Sequence, residues 1–164
     1  DFVLNVTGES GSGKSTIVEI YKQDENCIVV DTDELYKKEC TGDIKELKTY
    51  LQNKYNGLPD LCENFDDIYQ SILEFLEKKD KMIIIDSAQY RNMKDCSLLK
   101  GDIIILRTCI NTCYNRCIER YQKNHPSGTL EELAEYTTKK KNIYKWYHLL
   151  NSFIERVDRL GKEE

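Results

Sequence analysis

Short apolar runs alternate with longer amphipathic stretches along the chain. The runs cover residues 2–6, 27–31, 82–86 and 102–107. Each is short and rich in β-branched residues, which is typical of a buried strand. The stretches between the runs carry apolar residues at a helical spacing. This alternation predicts an α/β fold in which a parallel sheet of four or five strands forms the middle layer of a three-layer sandwich.

Two helices are predicted between the second and third strands. The apolar stripe of residues 43–55 predicts the first, with Asp43 and Glu46 as a capping pair. The second is predicted to begin at Asp60, and its apolar residues recur as far as Leu76. The segment Asn-Gly-Leu-Pro that starts at residue 56 separates the two helices.

The last third of the chain is predicted to be helical. A helix over residues 111–123 precedes a loop at 125–128. Thr129, with a Glu three residues later, forms a capping box that opens a helical segment over about 129–160. We expect Gly161 to end this segment. No fifth apolar run is clear after residue 130, so the sheet has four strands unless one lies within this segment.

A glycine-rich segment follows the first predicted strand. Residues 8–16 read Gly-Glu-Ser-Gly-Ser-Gly-Lys-Ser-Thr, which fits the pattern G-x-x-x-x-G-K-[ST] of a phosphate-binding loop. The alternative is a glycine-rich turn that matches the pattern by chance. The strand before the segment and the helix predicted after it argue against that alternative.

The residue types in this loop suit the binding of a nucleotide. Glycines let the loop curl around an anion, and its backbone N–H groups then form a concave nest for phosphate oxygens. The Lys side chain supplies a mobile charge for the β and γ phosphates, and the Ser that follows it supplies a hydroxyl for Mg²⁺. The predicted nucleotide-binding residues are Gly8, Ser10, Gly11, Ser12, Gly13, Lys14, Ser15 and Thr16.

Carboxylates follow two of the predicted strands. Asp31 and Asp33 come after the second strand, and Asp86 ends the third. Because ligands bind at the carboxyl ends of parallel strands, we expect these acids to meet the loop there. Asp31, Asp86 and Ser15 are predicted to organise Mg²⁺. Asp33 is predicted to be catalytic and to bind the substrate, by accepting a hydrogen bond or a proton from an acceptor hydroxyl.

Each of these acids also fits a structural role. Asp86 can cap the turn after its strand, as Asp often does. Thr32 or Asp33 can cap a helix that begins at Glu34. Capping and substrate binding are compatible, so both interpretations of Asp31 and Asp33 remain open.

Arginines provide the candidate catalytic cations besides Lys14. Arg116 and Arg120 are four residues apart in a predicted helix and therefore share a face. We expect them to cover the transferring phosphoryl group, as part of a lid over about 111–128, and to neutralise charge there. The alternative is a solvated helix face. Arg91 is predicted to bind the acceptor.

Composition narrows the class of protein. The 164 residues are enough for one domain, 1–164, and 40% are apolar. The 29 acidic residues exceed the 24 basic ones, and the net charge of −5 argues weakly against nucleic acid as a partner. No apolar run approaches the roughly 18 residues that a membrane helix requires, so no membrane partner is expected.

The seven cysteines carry no paired C-x-x-C pattern. We interpret them as reduced thiols of a cytoplasmic protein. Cys109, Cys113 and Cys117 recur at every fourth residue, and burial as small apolar side chains is favoured over a metal site. The chain begins at Asp1 rather than Met, so we expect it to be a trimmed product.

With these residues placed, the chain resembles the small P-loop kinases, the group that includes nucleotide, shikimate and gluconate kinases. The resemblance covers roughly residues 2–130, and it rests on the loop, on Asp31-Thr32-Asp33 and on the helix with the arginine pair. It implies that Asp31 assists the metal and that Asp33 binds the acceptor hydroxyl. The segment after Asp86 differs from the glycine-rich substrate segment of shikimate kinases, so shikimate is not the expected acceptor.

The sequence therefore predicts an enzyme that transfers the γ-phosphoryl group of ATP, with Mg²⁺, to a small-molecule acceptor. The acceptor would be a nucleotide, a nucleoside or a hydroxylated metabolite. One alternative is a regulatory NTPase without a separate acceptor, although the N-K-x-D pattern of GTP-binding switches is missing from the sequence. Another is a kinase of polynucleotide 5′-hydroxyl groups, against which the acidic net charge argues weakly.

Overall fold

The computed structural model describes residues 2–37, 39–141 and 143–163, so Asp1 lies outside the described residues. Its strands are β1 Val3–Thr7, β2 Cys27–Asp31, β3 Met82–Asp86 and β4 Asp102–Ile105. Its α-helices are α1 Lys14–Lys22, α2 Thr32–Leu35, α3 Gly42–Tyr55, α4 Phe65–Leu76, α5 Ile110–Asn124, α6 Leu130–Lys140 and α7 Ile143–Glu163. Short 3₁₀ helices cover Glu77–Lys79, Ala88–Asn92 and Cys96–Leu98.

The four strands of the described residues form one parallel sheet in the order β2-β3-β1-β4. β1 pairs in parallel with β3 and β4, and β3 pairs in parallel with β2. The predicted α/β class and parallel sheet are therefore confirmed, with four strands. In this order the chain leaves β1 towards β2 and leaves β3 towards β4, in opposite directions. A crevice consequently opens at the carboxyl ends of β1 and β3, where ligands bind in such sheets.

Helices cover both faces of the sheet, as the predicted three layers require. Neighbouring residues on β1 and on β3 point to opposite faces because strand side chains alternate. Leu4, Val6 and Ile84 pack on one face, with Val18 of α1. On the other face, a larger core combines strand residues with residues of α2, α3, α4 and α7: Val3, Ile28, Val30, Ile83, Ile85, Leu35, Leu47, Leu51, Ile68, Ile72, Leu76 and Phe153.

A buried polar residue ties β1 to its neighbours. Asn5 is fully buried in β1, and its Nδ2 donates to the carbonyl oxygens of Lys100 (2.8 Å) and Asp102 (2.9 Å). Its Oδ1 accepts hydrogen bonds from the hydroxyls of Tyr69 and Tyr90, each at 2.7 Å. Asn5 is thus well satisfied, as buried amides usually are. These bonds position the start of β4 and the 3₁₀ segment that follows β3.

Two predicted helix starts in the middle of the chain are wrong. The N-cap of α3 is Thr41, not the predicted pair, and Glu46 instead forms an ion pair with Lys79 at 2.7 Å. Asp60 does not begin α4. Its Oδ1 accepts the backbone N–H of Glu63 at 3.0 Å and caps a separate turn ahead of the helix. In both places, side chains with capping chemistry lie near the helix and serve another contact.

The C-terminal half also differs in detail. β4 ends at Ile105, two residues before the predicted end. Thr129 caps α6 as predicted, since its Oγ1 accepts the backbone N–H of Glu132 at 3.2 Å. The predicted segment over 129–160 is two helices, and the second continues to Glu163 instead of ending at Gly161. None of the helices in the described part of the chain is long and apolar enough to span a membrane.

The cysteine series on α5 divides between two environments. Cys113 and Cys117 are buried on the inner face of α5, which agrees with the predicted packing role. Cys109 precedes α5 and is exposed, so its predicted burial is wrong. Among the residues that the structure describes, no three His, Cys, Asp or Glu side chains lie close enough together to form a metal site.

Candidate functional site

The glycine-rich segment forms a compact loop between β1 and α1. The Ser12 N–H donates to the carbonyl oxygen of Glu9 at 3.0 Å, and Gly13 is the N-cap of α1. Gly13 adopts a positive φ of 103°, which favours glycine, and it has no side chain with which to cap the helix. In the first turn of α1 the Thr16 N–H donates to the carbonyl oxygen of Gly13 at 3.2 Å. The N–H groups of Lys14 and Ser15 remain for an anion at the positive end of the helix.

The start of α5 holds the loop in place. A Cβ on Gly11 would lie 2.6 Å from the carbonyl oxygen of Cys113, so this close approach requires glycine. The Thr108 hydroxyl donates to the carbonyl oxygen of Ser12 at 2.8 Å. Arg116 donates from Nη1 to the carbonyl oxygen of Gly11 at 2.9 Å. Because these bonds satisfy loop carbonyls from outside, they help to keep the loop in one conformation.

One pocket of about 570 Å³ lies beside this loop and at the carboxyl ends of β2 and β3. It brings together the predicted lysine, three carboxylates and both helix arginines, although they come from four separate segments of the chain. Two predicted site residues, Gly8 and Arg91, do not line it. The lining residues are Ser10, Gly11, Ser12, Gly13, Lys14, Ser15, Thr16, Ile17, Asp31, Asp33, Asp86, Ser87, Ala88, Arg116 and Arg120.

The β2 end places two of the acids by capping a short helix. The side chain of Asp31 accepts the backbone N–H of Asp33 at 3.0 Å and is the N-cap of α2. The predicted caps, Thr32 and Asp33, are therefore wrong by one or two residues. The buried Thr32 hydroxyl instead donates to the Ser87 hydroxyl at 2.8 Å. That bond ties α2 to the end of β3, so both Asp31 and Asp33 line the pocket although the strand ends between them.

Asp86 is the most perturbed carboxylate of the pocket. It is 4% exposed and lies in register with Asp31 on the neighbouring strand. Loss of hydration on burial raises the pKa of Asp86 from 3.8 to about 6. Lys14 opposes this shift, while Asp31 and Asp33 add to it. Within the described residues, Asp86 Oδ1 accepts no hydrogen bond.

The other buried polar atoms without a partner lie nearby. Among the described residues, these atoms are Thr7 Oγ1, at the end of β1, and Ser12 Oγ, in the loop. Unmade hydrogen bonds are expensive in a protein interior, so their concentration at one place calls for a ligand or water there. An orphaned carboxylate oxygen at a pocket that Ser15 also lines suits a hard cation with oxygen ligands. Mg²⁺ fits, because it usually takes one or two carboxylates and completes its shell with water and phosphate oxygens.

Lys14 lies folded against the loop. Its Nζ donates to the carbonyl oxygen of Glu9 at 3.1 Å. Loss of hydration lowers the pKa of Lys14, and the nearby carboxylates of Asp86 and Glu9 oppose that shift. A partly desolvated ammonium group beside the N-terminus of α1 attracts polyanions strongly, since both sources of positive potential act at the same point.

Arg116 and Arg120 share the face of α5 that borders the pocket, as their spacing predicts. Both side chains are exposed, so the helix face is solvated at its edge. The bond from Arg116 to the loop nevertheless shows that this face also contacts the site. Whether residues 111–128 act as a lid stays a prediction.

Arg91 is held away from the pocket. Its Nη1 donates to both carboxylate oxygens of Glu9, at 2.8 and 2.7 Å, and its guanidinium lies 4.7 Å from the ring centre of Trp146. The side chains of Arg91 and Glu9 are 7% and 2% exposed. Arg91 therefore does not line the pocket, and it anchors the loop residue whose carbonyl accepts Lys14; its predicted role in acceptor binding stays a prediction.

Sequence reasoning missed three groups that shape the site. Ser87 and Ala88 line the pocket directly after Asp86, and Glu9 links the loop to Arg91. The position of Ser87 and Ala88 directly after an acid that ends a strand was a signal that they could line the site. No local pattern could pair Glu9 with a residue 82 positions away.

Comparisons with known proteins assign the chain to no family. No protein-family model matches the chain, and no curated protein matches it. The fold and the pocket define a class of architecture: an α/β protein with a parallel sheet, whose crevice holds a glycine-rich loop facing three carboxylates. A function for the chain has to be argued from the geometry of that pocket.

Proposed function

We propose that the protein is an ATP-dependent phosphotransferase that moves the γ-phosphoryl group to a hydroxyl of a small-molecule acceptor, as a single P-loop kinase-like domain. One observation carries the proposal: a single pocket has the glycine-rich loop on one side and three carboxylates on the other. Phosphoryl transfer needs that combination, because its catalysis consists of positioning and of neutralising charge.

The loop side suits the donor. Backbone N–H groups at the start of α1 point at the position of a phosphate, and Lys14 supplies a charge for its outer oxygens. Arg116 and Arg120 border the same volume, where they would neutralise the charge of the phosphoryl group in transit.

The carboxylate side suits a metal and an acceptor. Ser15, Asp31 and Asp86 would hold Mg²⁺, which when bound neutralises phosphate charge and orients the transferring group. The unpartnered oxygen of Asp86 supports this assignment. Asp33 would accept a hydrogen bond from the acceptor hydroxyl and take its proton as the new P–O bond forms.

The first experiment follows ATP consumption with Mg²⁺ and a panel of acceptors. We expect acceptor-dependent release of ADP by the wild-type protein, and a loss of at least about 100-fold in Lys14→Ala, the scale of removing one key charge from a transition state. Lys45→Ala removes an exposed lysine of α3 and is the matched control, which should keep full activity. Circular dichroism of all three proteins would show whether each is folded.

The outcomes also separate the rival functions. Hydrolysis of nucleotide without stimulation by any acceptor would indicate a regulatory NTPase. Stimulation by oligonucleotides alone would indicate a polynucleotide 5′-hydroxyl kinase. Wild-type activity in Lys14→Ala would contradict the proposal outright. The cytoplasm remains the predicted compartment, because seven free cysteines suit a reducing environment.

A further inference from the structure

Positive and negative charges occupy different sides of the pocket. Its cationic lining residues, Lys14, Arg116 and Arg120, all belong to the loop side, and two of them donate hydrogen bonds to loop carbonyls. The opposite side is formed by the ends of β2 and β3. There the lining residues are carboxylates, one serine and one alanine.

Arg91, the arginine of the segment between β3 and β4, is already paired with a carboxylate. Both oxygens of Glu9 accept hydrogen bonds from Arg91, and the guanidinium packs on Trp146. Arg91 is 7% exposed and does not line the pocket. Releasing it would leave a buried Glu9 carboxylate unpaired, which is strongly unfavourable. Arg91 therefore does not supply a positive charge for an acceptor.

Asp86 places a buried negative charge on the side of the pocket that is formed by the ends of β2 and β3. It is 4% exposed, and its Oδ1 accepts no hydrogen bond from the described residues. Mg²⁺ would offset the charge of Asp31 and Asp86 on the side that faces the phosphates. Asp33, which we do not assign to the metal, keeps its charge towards the acceptor.

We propose that the acceptor carries its hydroxyl on an uncharged or cationic molecule, and that phosphorylated or carboxylated acceptors are rejected. This inference rests on the proposed function and narrows it, since it removes nucleotides from the predicted acceptors and keeps nucleosides, polyols and amino alcohols. An anionic group on the acceptor side would meet like charge, because the lining residues from the ends of β2 and β3 include no cationic side chain. Such repulsion is a common source of specificity.

The test compares acceptors in pairs that differ by one anionic group: adenosine with AMP, glycerol with glycerol 3-phosphate, and sorbitol with gluconate. ADP release is measured with Mg²⁺ and ATP at fixed ionic strength. We expect kcat/KM to be at least about tenfold higher for the uncharged member of any pair that reacts, because one uncompensated like charge in a partly desolvated site has an effect of that size.

A variant in the pocket makes the comparison sharper. Ala88 lines the acceptor side directly after Ser87, so Ala88→Lys places a cation where we find none among the lining residues. It should raise the ratio of anionic to uncharged turnover by at least about tenfold. Ala88→Gln adds similar bulk without charge and should leave that ratio near the wild-type value.

The outcomes are distinct. A wild-type preference for the anionic member of the reacting pairs overturns the inference and leaves the phosphotransferase intact. An equal gain in Ala88→Lys and Ala88→Gln also overturns it, because bulk rather than charge would then control the ratio. No stimulation of ADP release by any member of any pair rejects the proposed function, and the inference with it.

Discussion

Replacing Arg91 by alanine would leave the carboxylate of Glu9 buried without its partner. The two side chains are 7% and 2% exposed, and the guanidinium donates to both carboxylate oxygens at 2.7–2.8 Å. Glu9 belongs to the glycine-rich loop, and its carbonyl accepts the Lys14 ammonium. The variant should therefore affect both the stability of the fold and the shape of the glycine-rich loop.

The expected loss of stability is large. Breaking a buried ion pair from one side costs about 3–5 kcal/mol, because a desolvated charge remains. Loss of the contact with Trp146, at 4.7 Å, adds about 1 kcal/mol. Against a total stability of roughly 5–15 kcal/mol for a domain, this is a major fraction. With a urea m-value near 2 kcal/mol per molar, the midpoint of unfolding should fall by about 2–3 M.

Urea unfolding monitored by circular dichroism measures this loss, with Arg159→Ala as the control. Arg159 is an exposed arginine on α7, and its replacement should change stability by less than about 0.5 kcal/mol. The double variant Glu9→Gln/Arg91→Met removes both charges and should recover most of the loss. A cost below about 1 kcal/mol for Arg91→Ala would refute the buried pair as a major source of stability.

Two further predictions concern the pocket. The pKa of Asp86 is raised from 3.8 to about 6 in the folded protein, so the native state holds that proton more tightly and stability falls as pH rises from about 4 to 6. Asp86→Asn should therefore raise the unfolding free energy at pH 7.5 by about 3 kcal/mol and flatten that pH dependence. Urea unfolding at several pH values measures both effects, and a variant less stable than the wild type at pH 7.5 would contradict the prediction. Gly11→Ala places a Cβ against the Cys113 carbonyl at 2.6 Å and should weaken binding of Mg·ADP by at least about tenfold in calorimetry, since loop and helix must separate. Gly57→Ala is the control, because Gly57 also has a positive φ but an added Cβ there would meet no neighbouring atom. It should lose about 1 kcal/mol of stability and keep its affinity for Mg·ADP. Equal affinities of the two variants for Mg·ADP would exclude the clash at Gly11 as the cause of weaker binding.

Local sequence patterns predicted the strands and the loop well. β2 and β3 begin and end where their apolar runs do, because a short run bounded by polar residues has few other ways to be buried. The capping role of Thr129 was also predicted correctly, because its hydrogen bond joins residues only three positions apart. Asp31 and Asp86 meet because parallel pairing brings the ends of neighbouring strands together.

The helix starts were harder to predict for a physical reason. Asp43 and Asp60 have the right chemistry for caps, yet α3 begins after Thr41 and Asp60 caps a separate turn. Many polar residues can satisfy a helix end at similar free energy, so packing of the helix against the core decides among them. Asp31 illustrates this: it caps α2 because β2 ends there.

The pairing of Arg91 with Glu9 was decided by the tertiary structure alone. The two residues are 82 positions apart, and either one read in its own segment looks like a surface or substrate-binding charge. Their burial depends on α7, which brings Trp146 over the guanidinium. Short-range structure, in contrast, could be predicted from the sequence alone: the positions of the strands, the glycine-rich loop between β1 and α1, and the acids that follow the strands. Local backbone preferences act over a few residues, whereas the charge of each side of the pocket depends on which distant side chains are desolvated together.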